Sequence, residues 1–171
     1  FDTASLTRRL RACCPGCFSV RVVRHCRERP VFNERRLLGL TDGERALVRE
    51  VQLQCRGRPW VFARTIIPLP TLTGPRRCLG RLGTRPLGEM LFTSRSMRRY
   101  EMQVACITAG QPLFDAATAG LHPRPSQVWG RRSVFELGGR PLLVTEVFLP
   151  ELVGHASGSG PAASASMNGR R

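Results

Sequence analysis

Residues 133–150 read SVFELGGRPLLVTEVFLP: two apolar runs separated by Gly-Gly-Arg-Pro and closed by a proline. That pattern is a β-hairpin. Side chains alternate faces along a strand. In Arg140–Pro150, Leu142, Val144, Glu146 and Phe148 therefore share one face, and Leu143, Thr145, Val147 and Leu149 the other. Neither face reads as a solvent face, so the strand is expected to be covered on both sides. Glu146 is the exception in an apolar strand. A buried, isolated carboxylate costs several kcal/mol or takes up a proton, so a cation or a ligand should meet it.

A second hairpin has the same shape. ALVREVQLQC (46–55) turns at Arg-Gly-Arg-Pro into WVFARTIIPLP (60–70). In its first strand Leu47, Arg49, Val51, Leu53 and Cys55 share a face, so Arg49 projects from an apolar side. GRPWVFARTIIP (57–68) aligns without a gap on GRPLLVTEVFLP (139–150), which puts Arg64 at the place of Glu146. On that alignment Arg64 and Glu146 are expected to project alike into one covered face. Arg49, Arg64 and Glu146 could then form a structural ion network or a closed pocket for a small anion bearing a hydrogen-bonding group.

Elsewhere FSVRVVRH (18–25) and MRRYEMQVACI (97–107) alternate as strands, the latter with Tyr100, Met102 and Val104 opposite Arg99, Glu101 and Gln103. Residues 2–12, 71–83 and 86–92 read as helical, with Pro75 in a first turn and Gly83 after an end. Residues 31–45 read as irregular and 108–127 as a long connection. Strands joined by hairpins imply an antiparallel sheet. The expected fold is α+β: one domain over residues 1–152, about six strands, helices covering a buried pocket, and a disordered Gly/Ala/Ser-rich tail over 153–171. The sequence starts at Phe1 rather than Met, inside what reads as a polar helix start, so a missing or processed N-terminal piece is expected.

The 171 residues, 42% apolar, suit one domain with a sizeable core. No apolar run approaches the ~20 residues that cross a bilayer, so no membrane insertion is expected. The formal charge is +15, carried by 27 arginines and no lysine and scattered along the chain. No nucleic-acid-binding motif accompanies it, so a basic field that draws in a small anionic substrate is expected rather than a nucleic-acid partner. Seven cysteines are too few for a disulfide scaffold and read as a reduced cytoplasmic protein. CCPGC (13–17) reads as a turn with free thiols, the alternative being a zinc site. No strand reads as an exposed apolar edge, which favours a monomer.

Four stretches add a family resemblance: SLTRRL (5–10), GRPWVFARTIIPLPTLTGP (57–75), LGTRPLGEMLFTS (82–94) and VWGRRSVFELGGRPLLVTEVFLP (128–150). In this order they resemble the bacterial chorismate pyruvate-lyases. The resemblance covers about residues 2–150, with a longer 108–127 segment than family members carry. It implies a lyase that converts chorismate into 4-hydroxybenzoate and pyruvate, the first committed step towards ubiquinone, with no metal or organic cofactor. It also implies the site: Arg49 on the ring carboxylate, assisted by the backbone N–H groups of Leu6 and Leu87; Glu146 on the ring hydroxyl; Arg64 close by. Position 6 is often methionine in the family, but a backbone contact tolerates Leu6. The rival from the same fold is a ligand-sensing domain of a bacterial transcription regulator, which binds small molecules without turning them over. The joint presence of Arg49, Arg64, Glu146 and the Trp-Gly-Arg-Arg-Ser motif (129–133) favours the lyase.

Overall fold

The computed structural model describes residues 6–158. Six strands form one antiparallel sheet in the order β1-β2-β3-β6-β5-β4. They are β1 (Phe18–Glu28), β2 (Ala46–Cys55), β3 (Arg58–Pro68), β4 (Met97–Thr108), β5 (Gln127–Leu137) and β6 (Arg140–Phe148). The two hairpins expected from sequence, β2–β3 and β5–β6, lie side by side, joined through β3 and β6.

Helices cover both faces. On one, α1 (Leu6–Cys13) packs Leu10 on Val51, Leu53 and Val61, and α3 (Leu87–Thr93) packs Leu87 and Leu91 on Leu47, Ile67 and Leu142. On the reverse, α2 (Phe32–Leu38) sets Leu38 against Val48, Ile66 and Leu143, and α4 (Pro112–Thr118) sets Phe114 against Phe62 and Val147. This two-sided cover explains why β2 and β6 lack a solvent face.

Several details differ from the sequence expectation. Residues 31–45 contain α2, whose Glu34 carboxylate accepts the Val31 N–H at 3.1 Å and whose end is a left-handed Gly39. The 108–127 connection contains α4, opened by Pro112. The expected helix at 71–83 is instead a 3-10 segment over Gly74–Arg81. The expected tail start at 153 falls inside α5 (Pro150–Gly158), where His155 stacks on Trp60 at 4.9 Å between ring centres; the rest of that tail lies outside the described residues. Cys14 is bonded to Cys55, which corrects the expected free thiol there and removes Cys14 as a zinc ligand. That bond joins the end of α1 to the end of β2. β4 is an edge strand with Tyr100, Met102 and Val104 exposed, so the ground for expecting a monomer does not hold. Among the described residues no helix is long and apolar enough to cross a membrane.

Candidate active site

Antiparallel partners project to the same face, so the sheet can be read in rows across its strands. Arg49, Thr65, Val144 and Ser133 form one row; Val51, Ala63, Glu146 and Arg131 form the next. These rows floor a cavity of ≈60 Å³ beneath α1 and α3. Four of the expected site residues meet there: Arg49 and Glu146 from the sheet, Leu6 and Leu87 from the first positions of α1 and α3. A helix's first N–H groups have no partner within the helix, so α3 begins at the cavity with donors to offer, and Leu6, the first described residue of α1, lies beside it. The Arg11–Glu89 ion pair, 2.8 Å, ties the two helices together on their outer side.

Arg64 is not there. β3 runs antiparallel to β6 with Ala63 opposite Glu146 and Arg64 opposite Thr145. Similar offsets from two turn prolines do not survive that pairing, and Arg64 emerges on the reverse face. Its Nε and Nη2 donate to Glu34 at 2.7 and 3.0 Å and its Nη1 to Glu50 at 2.5 Å, with Glu28 at 3.6 Å. Burial works against its charge, but the hydrogen bonds and charges of Glu34 and then Glu50 outweigh burial and hold the guanidinium above the ordinary arginine value. The expected grouping of Arg64 with Glu146 is therefore corrected: Arg64 belongs to a buried ion network.

The cation that meets Glu146 is Arg131, whose Nε donates to Glu146 Oε2 at 2.6 Å. Sequence reasoning singled out the motif containing Arg131 but not this pairing; the signal was the strand register, which only the fold supplies. Arg99 is a second residue missed. Strict alternation put it opposite Met102, but a bulge between Arg99 and Met102 turns both towards the cavity face, where Arg99 pairs with Phe135 and Met102 with Ser133.

Arg49 is 2% exposed. Its Nη2 donates to the carbonyls of Gly83 and Arg85 at 2.9 and 3.1 Å, and its Nε is buried with no partner among the described residues. Burial holds this guanidinium below the ordinary arginine value. An arginine fixed at one end with a donor unmet and a cavity beside it is prepared for an anion. Arg132 also borders the cavity, but its Nε bonds Gln103. Four arginines, Arg49, Arg99, Arg131 and Arg132, against the one carboxylate of Glu146 make the cavity lining net positive.

One family description, "Chorismate lyase", matches residues 1–157. This chain belongs to the chorismate lyase family. Among its relatives is a protein of Methylococcus capsulatus named "Probable chorismate pyruvate-lyase", 46% identical over 155 residues, 90% of this chain and 93% of that one. A protein of the same name from Azoarcus sp. is also 46% identical, over 90% of this chain and 82% of its own. Solved structures with the same fold include PhnF from Mycobacterium smegmatis (TM-score 0.63, 14% identity, 88% of this chain and 66% of that one). Another is the ligand-binding domain of a GntR-family regulator from Bordetella bronchiseptica (TM-score 0.57, 20% identity, 80% and 86%). At these identities the likeness is one of fold alone.

Proposed function

We propose that this chain is a chorismate pyruvate-lyase that eliminates pyruvate from chorismate to leave 4-hydroxybenzoate. The observation that carries the reading is the placement of Arg49 and Glu146 in one covered cavity. Two strand spacings and a step of two residues separate them, roughly 12 Å at the backbone. Their side chains reach inward across a span that suits a six-membered ring with a carboxylate at one end and a hydroxyl opposite. The surplus of positive charge in the lining suits a dianionic substrate.

In this reading Arg49 and the N–H groups of Leu6 and Leu87 hold the ring carboxylate. Glu146 has Oε2 on Arg131, which leaves Oε1 for the ring hydroxyl. The hydrogen on the hydroxyl-bearing carbon departs as a proton, and its electron pair becomes a ring double bond. The ring–ether bond breaks with its pair on the departing oxygen, giving the enolate of pyruvate, whose methylene carbon takes up a proton as the oxygen becomes the ketone of pyruvate. Aromatisation supplies the driving force, so the protein's contribution is to position the ring and stabilise developing charge. No step calls for a metal or organic cofactor.

The test is the purified chain, chorismate and EDTA, with both products quantified. Equal amounts of 4-hydroxybenzoate and pyruvate are the expected result. Chorismate consumed by neither route, with 4-hydroxybenzoate bound, would overturn the lyase in favour of a sensing domain.

A further inference from the structure

The expected second arginine, Arg64, is spent on the reverse face, yet the substrate proposed above carries two carboxylates. The side of the cavity away from Arg49 holds two guanidiniums. Arg99 lies over Phe135, 5.4 Å from the ring centre, with its Nε donating to Ser133 Oγ at 3.1 Å. Arg131 lies over Phe148, 5.7 Å from the ring centre, with its Nε on Glu146. Each is fixed through Nε and a ring face, an arrangement that leaves terminal N–H groups for a ligand. Among the described residues no carboxylate is in ion-pair contact with Arg99. Its Nη2 meets only the Met102 sulfur, at 3.3 Å.

We propose that Arg99 and Arg131 form the seat for the second carboxylate, the one that leaves on the three-carbon fragment. The proposal rests on the lyase reading and adds to it a residue that tells substrate from product. Arg49 serves a group common to chorismate and 4-hydroxybenzoate; Arg99 serves a group that only chorismate has. Two further features support it. The bulge that turns Arg99 to the cavity face, where it borders the cavity while staying exposed, interrupts the pairing of β4, and bulges commonly re-aim side chains next to sites. Burial, and then repulsion from Arg131, hold Arg99 below the ordinary arginine value, partly offset by Glu146, and an anion between the two guanidiniums eases that repulsion.

The test compares wild type, Arg99→Met and Arg99→Lys for chorismate KM and kcat and for 4-hydroxybenzoate Kd. Arg99→Met keeps the stem over Phe135 and removes the charge. The expected result is a tenfold or greater rise in chorismate KM with 4-hydroxybenzoate Kd within twofold of wild type, and an intermediate KM for Arg99→Lys, which keeps the charge without the fork. A KM change under twofold, or equal weakening of both ligands, overturns the seat. If wild type makes no 4-hydroxybenzoate, the lyase reading fails, and the same two ligands then test the seat by binding alone. Selective loss of chorismate in Arg99→Met supports it. Equal loss, or no binding of either ligand to wild type, overturns it.

Discussion

Arg131 and Glu146 are directly opposite each other on β5 and β6, and the Arg131 Nε reaches Glu146 Oε2 at 2.6 Å. Glu146→Gln preserves an oxygen for that contact while removing the charge. Its kcat with chorismate should fall by about 100-fold or more, the scale of a lost proton-transfer or charge-orienting group. Steady-state product formation checks this; undiminished turnover would remove Glu146 from the chemistry.

Arg49→Met keeps volume and apolar packing but loses the donors. Charged hydrogen bonds contribute about 1.5–3 kcal/mol, so chorismate KM and 4-hydroxybenzoate Kd should both rise about 10- to 100-fold. Because the ring carboxylate is common to both ligands, a shift in one alone would contradict its assignment to Arg49.

Arg64→Met should behave in the opposite way. It leaves Glu34 and Glu50 buried without their cation, and breaking such a pair costs about 3–5 kcal/mol. Urea unfolding should show that loss, while the folded fraction keeps its chorismate KM. A stable variant with a raised KM would return Arg64 to the site.

The Cys14–Cys55 bond spans 41 residues of chain. A loop of that length restricts the unfolded state by about 4 kcal/mol on the chain-entropy view, or roughly 10 °C in Tm at this size. Thermal unfolding with and without dithiothreitol should show that drop in wild type and no drop in a Cys14→Ser/Cys55→Ser double variant. Equal midpoints in wild type would mean that the bond contributes nothing to stability.

The hairpins were legible because their signals are local: apolar runs, turn prolines and glycines within a dozen residues. So was the demand of Glu146 for a cation, since a charge inside a strand covered on both sides needs one. The identity of that cation was not legible. Whether Arg64 or Arg131 faces Glu146 depends on which strands pair and in what register, and β3 with β6 is a contact between residues some eighty positions apart. α2 and α4, seven residues each, are too short to repeat an apolar period. They hold through Glu34 and Phe114, whose partners are distant in sequence. Arg99 was hidden by its bulge, which breaks the alternation used to read β4.

The row that carries Val51, Ala63, Glu146 and Arg131 gives the site a reading frame. Removing a single residue from β6 upstream of Glu146 would shift the frame by one, carrying the carboxylate through the sheet to the side where Glu34 and Glu50 already surround Arg64. Substitutions along these strands can be graded by size and charge, whereas insertions and deletions act as all-or-none events. Length can drift in the loops on either side of α4, at 109–111 and 119–126, without touching the row, so any tolerated change in the length of this chain should be confined to its loops.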